Sequence, residues 1–203
     1  MSLSRRALLI AAPGLALVSR AAFADTQADP LMGERAIGNP NAKLVVQEWY
    51  SMTCTHCARF SQVVFPEVKA KLIDTGRIRY VFQDYPLDQV ALMACMVARA
   101  LPTERYVPFV ESLLASQDRW AFAQGVDPKA ELQKMAALAG MSSETFQHTI
   151  NDEALSKAII AKQDAASKKY GIDSTPSFLF GSTLFSGEMD YATFAQKVAA
   201  AGG

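Results

Sequence analysis

Cys54-Thr55-His56-Cys57 follows an apolar run and opens a stretch of helical periodicity. Two thiols at that spacing can close a disulfide across the first turn of a helix. The unpaired amide N–H groups and the positive end of the helix dipole at such a turn stabilise Cys54 as a thiolate. A thiolate is both the attacking and the leaving species in disulfide exchange, so the placement predicts a redox-active dithiol. A structural zinc site would need four soft or imidazole ligands. Besides the pair, the chain offers His56, Cys95 and His148, none in a second paired spacing. A c-type haem attachment needs His directly after the second cysteine, where Ala58 stands. An inert structural bridge rarely sits at an exposed helix start beside a histidine. No metal is expected.

Three cysteines leave one over. Cys95 lies in the apolar helical run Ala91 to Val97, where a free cysteine behaves as a small hydrophobe. A regulatory or intermolecular thiol is the alternative.

The chain that must position the dithiol has 203 residues, 50% of them hydrophobic and 20% charged, as expected of a globular protein of one or two domains. Its first segment reads as a leader. Arg5 and Arg6 precede an apolar run from Ala7 to Val18, and Ala22-Phe23-Ala24 supplies a small-x-small cleavage pattern. The run is short for a bilayer span and is broken by Pro13-Gly14, so residues 1–24 are expected to be a signal peptide cleaved after Ala24. Ser4-Arg5-Arg6-Ala7-Leu8-Leu9 also resembles a twin-arginine export signal; an ordinary secretory route fits equally. Either leads to an oxidising compartment, a bacterial periplasm. Lys plus Arg equal Asp plus Glu over the whole chain, and the leader holds Arg5, Arg6 and Arg20 but no acid. The remainder is mildly acidic, and no basic cluster points to nucleic acid.

Asp25 to Ala42 reads as a lead-in ending in the turn Gly38-Asn39-Pro40-Asn41. Lys43 to Tyr50 is apolar enough for a strand covered on both faces. From Cys54 the period becomes helical, with Phe60, Val63, Val64, Val68 and Leu72 on one face, a kink at Pro66 and a stop at Gly76. Ile78 to Gln83 is a second strand, ended by Tyr85-Pro86. Leu87 to Tyr170 carries helical periodicity alone. Tyr106, Phe109, Val110, Leu113 and Leu114 form one stripe. Asp127-Pro128 starts a helix with Leu132, Met135 and Leu138 inward, closed by Gly140. Phe146 with Ile150, and Leu155 with Ile159, mark two more. Ser177 to Phe180 and Thr183 to Ser186 form a hairpin about Gly181-Ser182, and Tyr191, Phe194, Ala195 and Val198 define a last amphipathic helix. The order describes an α/β sheet domain interrupted by a helical block.

With the cysteine motif after a strand, a helical insertion, and Thr175-Pro176 before the hairpin, the chain resembles the DsbA-like branch of the thioredoxin superfamily. The resemblance covers nearly everything after the leader. It implies a thioredoxin fold with an inserted all-helical domain: residues 25–84 and 172–203 form the thioredoxin-like domain, 85–171 the insertion. It further implies disulfide exchange with unfolded exported proteins, no bound cofactor, and a cis Pro176 that packs against the dithiol. Thr175 and Pro176 would meet the substrate.

In the same family terms, Cys54 is the exposed nucleophile and Cys57 the buried resolving thiol. His56 matches the histidine of the family's Cys-Pro-His-Cys motif, which can donate a hydrogen bond to the thiolate or place positive charge near it; a surface histidine without a role is the alternative. Thr55 departs from the motif's proline, which leaves the oxidising strength open. Glu48 matches the acidic residue beneath the active site in thioredoxin and DsbA, where a desolvated carboxyl could exchange a proton with Cys57; the alternative is a strand-end glutamate reaching water. Trp49, Tyr50, Met52 and Phe60 fit either an apolar surface for unfolded peptide or the core.

The resulting expectation is a periplasmic disulfide oxidase, reoxidised by a quinone-linked membrane partner. The lead-in is short for the oligomerisation segment of family isomerases and lacks heptads, which favours a monomer. Threonine before the cis-proline also occurs among isomerases, so an isomerase or reductase of the same fold is the first alternative, and a redox-inert chaperone or binding module the second.

Overall fold

The computed structural model describes residues 29–203; the expected leader lies outside them. A five-stranded sheet has the order β1-β3-β2-β4-β5, with β1 Arg35–Gly38, β2 Leu44–Tyr50, β3 Ile78–Asp84, β4 Ser177–Phe180 and β5 Thr183–Ser186. β2 and β3 run parallel, and the other neighbours are antiparallel. The parallel central pair explains the near-continuous apolar reading of β2, whose last residues are buried on both faces. Val46 and Tyr50 join the main core, whereas Trp49 packs on the opposite face with Tyr85, Ile172 and Leu179.

β1 corrects the reading of residues 25–42 as a plain lead-in. Four residues with Arg at one end and Gly at the other show no period. The strand pairs with β3 at the sheet edge, and the buried Arg35 ties it to the helical block through Thr103 Oγ1 at 2.9 Å and Arg99 O at 2.7 Å. Gly38 has φ +93°, and a Cβ there would lie 2.7 Å from the Ile78 carbonyl oxygen, so the close approach to β3 requires glycine.

The helical stretch after Cys54 is α1 Thr55–Arg59, a wide π turn at Phe60–Val64, α2 Phe65–Val68 and a second π turn at Lys69–Ile73. The expected kink at Pro66 takes this form. Phe65 N–H reaches back to Phe60 O, so Pro66 falls in a new first turn, where its missing N–H leaves no ladder bond unmade. The added residue also shifts the helix phase, and Val63, expected on the inward face, is 67% exposed.

Between β3 and β4 come α3 Gln89–Ala100, α4 Thr103–Ala115, α5 Gln117–Trp120, α6 Pro128–Leu138, α7 Ser143–Ile150 and α8 Glu153–Tyr170. The Tyr106 to Leu114 stripe is buried throughout, and Asp127 caps α6 through Lys129 N–H at 3.0 Å. Leu138 was expected inward and is instead 91% exposed. Each i+3 step falls about 60° short of a full turn, so from Leu132 two steps leave the core face. The buried partner of Leu132 is Ala136, four residues on.

After the hairpin, α9 Tyr191–Ala200 buries Phe194 against Phe60, Phe178 and Phe180, with ring centroids 6.0, 5.8 and 5.0 Å away. That aromatic cluster fixes α1 and the π turn against the sheet.

Candidate active site

Cys54 is the N-cap of α1, and its Sγ accepts the Cys57 N–H at 3.3 Å. The loop leading to it is pinned from several sides. Cys54 N donates to Ser51 O at 3.2 Å, and Thr53 Oγ1 donates to Asp88 Oδ2 at 2.7 Å. Asp88 in turn caps α3 through Ala91 N–H at 2.7 Å. From α5, the buried Gln117 Nε2 donates to Met52 O at 2.8 Å and Cys54 O at 3.0 Å. Cys54 O also accepts the Ala58 N–H at 3.0 Å, so Met52 O is the carbonyl that would lose its donor without Gln117, at a cost of about 1–3 kcal/mol.

The other wall is the Thr175–Pro176 loop, whose peptide bond is cis. The Cys54 thiol donates to Thr175 O at 3.3 Å. Cys54 was expected exposed at the helix start, yet it is 7% exposed. The cis-proline loop lies against the sulfur, and Gln117 holds the carbonyls of the turn that carries it. Both cysteines of the pair are free thiols.

Their acidities diverge. The Cys54 thiol is brought down to about 5, chiefly by the hydrogen bond from the Cys57 thiol, against the opposing effect of burial. Thr175 and the backbone N–H groups of Cys57 and His56 add to the lowering. Thr175 Oγ1 is buried with no other partner, so it is free to serve the anion once the thiol proton is gone. Cys57 is fully buried, and burial, followed by the hydrogen bond to Cys54, pushes its thiol well above the ordinary value. An acidic, rim-lying sulfur paired with a neutral, buried one is what a one-sided exchange reaction requires.

Glu48 does not reach water. It is 5% exposed on β2, accepts the Tyr80 hydroxyl at 2.7 Å, and is pushed up to about 7 by burial. It is close enough to Cys57 for their charges to interact. His56 stands differently from its expected part: its Nδ1 pairs with Glu188 Oε2 at 2.9 Å, and what it offers Cys54 is its backbone N–H. Trp49, Tyr50, Met52 and Phe60 are all core. Cys95 is buried in α3, its thiol pushed up by burial.

Gln117 and Glu188 escaped the sequence reading. Gln117 sits in the polar run Ser116-Gln117-Asp118 and Glu188 in a loop after the hairpin. Only the fold brings either to the cysteines. A cleft of about 540 Å³ opens between His56, Arg59, Val63, Thr175 and Glu188, beside the dithiol. Among the described residues, no cluster of His, Cys, Asp or Glu could hold a metal ion.

Residues 31–200 match the family model described as Thioredoxin. A Rickettsia typhi protein named "Putative protein-disulfide oxidoreductase" is 30% identical over 146 residues, 71% of this chain and 53% of that protein. The chain thus spans about half the length of the curated relatives it matches. The crystal structure of Wolbachia pipientis alpha-DsbA1 is 30% identical with a TM-score of 0.76, covering 84% of this chain and 92% of that one. Oxidised BdbD from Bacillus subtilis shares the fold at 18% identity, with a TM-score of 0.73 over 84% of this chain and 94% of that one.

Proposed function

The chain belongs to the DsbA-like branch of the thioredoxin superfamily, and on that premise we propose that it is a periplasmic thiol:disulfide oxidoreductase. It donates the Cys54–Cys57 disulfide to reduced exported proteins. The observation that carries this reading is the divergent acidity of the two thiols beside the cis Thr175–Pro176 loop.

A substrate thiolate attacks Cys54 Sγ of the disulfide. The Cys54–Cys57 bond breaks, Cys57 leaves with the electron pair, and a substrate–Cys54 disulfide forms. Cys57 then takes up a proton, for which Glu48 is the buried donor, being half protonated near pH 7. A second substrate thiolate attacks the substrate sulfur of the mixed disulfide and expels Cys54 as a thiolate. Two electrons have passed from the substrate dithiol to the protein. The acidity of Cys54 favours its departure, and every unit of lowering favours the reduced protein by about 1.4 kcal/mol. Thr175 and Pro176 form the wall against which an extended substrate segment lies.

Export by the leader of residues 1–24, action as a monomer, and reoxidation by a quinone-linked membrane partner complete the proposal. No cofactor is required for the exchange. One observation favours the second reading, a reductase or isomerase: the ring of His56 is held by Glu188, which withholds the positive charge that makes a disulfide strongly oxidising.

The test is catalysed oxidation of a reduced, unfolded exported protein, with the glutathione redox equilibrium measured alongside. An oxidase accelerates oxidation, is inactivated by Cys54→Ala, and forms trapped mixed disulfides as Cys57→Ala. A thioredoxin-like equilibrium would favour the reductase. Full function of Cys54→Ala would leave a redox-inert binding module.

A further inference from the structure

Glu188 ties the two halves of the site together. It follows β5 in a turn where Gly187 N–H donates to Pro176 O at 2.8 Å, so the turn is fastened to the loop facing Cys54. Each carboxylate oxygen then serves a different side chain of the redox helix. Oε2 lies 2.9 Å from His56 Nδ1 and Oε1 lies 3.0 Å from Arg59 Nε. Glu188 is only 21% exposed, whereas His56 and Arg59 are 69% and 71% exposed. The carboxylate is therefore the more buried member, and it holds two largely exposed groups.

The other acids around the site are engaged elsewhere. Asp190 lines the same cleft but caps α9 through Thr193 N–H at 2.8 Å. Glu48 is held by Tyr80, and Asp88 by Thr53 and Ala91. Among the described residues, Glu188 alone forms an ion pair with the segment Cys54 to Arg59. Positive charge near Cys54 favours its thiolate; a carboxylate bound to both carriers opposes that and keeps the imidazole on the cleft side.

We propose that Glu188 is a positioning residue of the exchange reaction, restraining His56 and Arg59 so that the Cys54–Cys57 disulfide is a milder oxidant than its motif would otherwise make it. The inference rests on the oxidoreductase reading. Reduction breaks the S–S bond with two electrons from a pair of substrate thiols and leaves Cys54 as the anion. The restrained charges act on that anion.

The experiment is the redox equilibrium of the full chain with reduced and oxidised glutathione, for wild type and Glu188→Gln. Both are repeated on a His56→Ala/Arg59→Ala background. Glu188→Gln is expected to move the equilibrium toward the reduced protein by about threefold or more. On the double-alanine background the shift falls below about 1.5-fold. Glu188→Asp, too short to hold both partners, moves it the same way with the charge retained. An unchanged equilibrium, or an equal shift on both backgrounds, would overturn the positioning role. A wild type that never equilibrates with glutathione would bring down the oxidoreductase reading, and this inference with it; that failure is separate because it needs no variant.

Discussion

Tyr80 donates its hydroxyl hydrogen to Glu48 Oε2 at 2.7 Å, inside the sheet face that carries the dithiol. The bond favours the carboxylate, yet burial wins and holds Glu48 up to about 7. That poise is what the proposed role of Glu48 as proton donor to the buried Cys57 rests on.

The sign of its effect on stability follows from linkage. A raised carboxyl keeps its proton in the folded chain after the unfolded chain has lost it, so stability falls as pH rises from about 4.5 to about 7. Glu48→Gln removes that loss and keeps an acceptor for Tyr80. Urea unfolding is expected to show equal stabilities at pH 4, and a variant more stable by roughly 1–3 kcal/mol at pH 8. Its exchange rate falls in the same pH range.

Gln117 supplies the clearest long-range support of the redox turn. Gln117→Met removes both bonds to Met52 O and Cys54 O while filling a similar volume. The expected cost is about 1–3 kcal/mol in chemical denaturation, together with a higher Cys54 thiol pKa in titration.

Arg99 and Asp84 form a fully buried ion pair. Tyr106 donates to Asp84 Oδ1 at 3.1 Å, and Arg99 Nη1 donates to Leu31 O at 3.0 Å and Gly33 O at 3.2 Å. The pair thus fastens the segment before β1 to the end of β3. Arg99→Met strands Asp84 without a counter-charge and is expected to cost about 3–5 kcal/mol by denaturation. Cys54 acidity stays near its wild-type value.

The reading of α6 can be tested on its two leucines. Leu138→Gln is expected to change stability by less than about 0.5 kcal/mol. Leu132→Ala, in the core, should cost about 2–5 kcal/mol.

What the sequence disclosed depends on how local each signal is. The hairpin was legible because Gly181-Ser182 forces its turn, and α6 began where Asp127-Pro128 said it would. The dithiol and Thr175-Pro176 were legible as motifs, and the sheet does bring Cys54 Sγ to Thr175 O. β1 was missed because an edge strand of four residues is recruited by β3 and needs no pattern of its own. Leu138 was misplaced because i+3 spacing drifts around a helix, and the exposure of Val63 depended on a π turn that its own sequence does not signal. Gln117 and Glu188 had no signal of any kind, since their partners lie 63 and 132 residues away in the chain. His56 could be located by motif but not oriented by it; Glu188 decides where its ring points.

The most direct test is titration of the Cys54 thiol in the reduced protein, followed by ultraviolet thiolate absorbance, with Cys54→Ala, in which the low-pH signal must vanish, as the control for assignment. The thiolate signal is expected to appear with a midpoint near pH 5. The extra stability that the ionised sulfur gives the reduced fold is complete above the ordinary thiol pKa and disappears as pH falls through that midpoint. A midpoint at the value of free cysteine, about 8.5, would contradict the account.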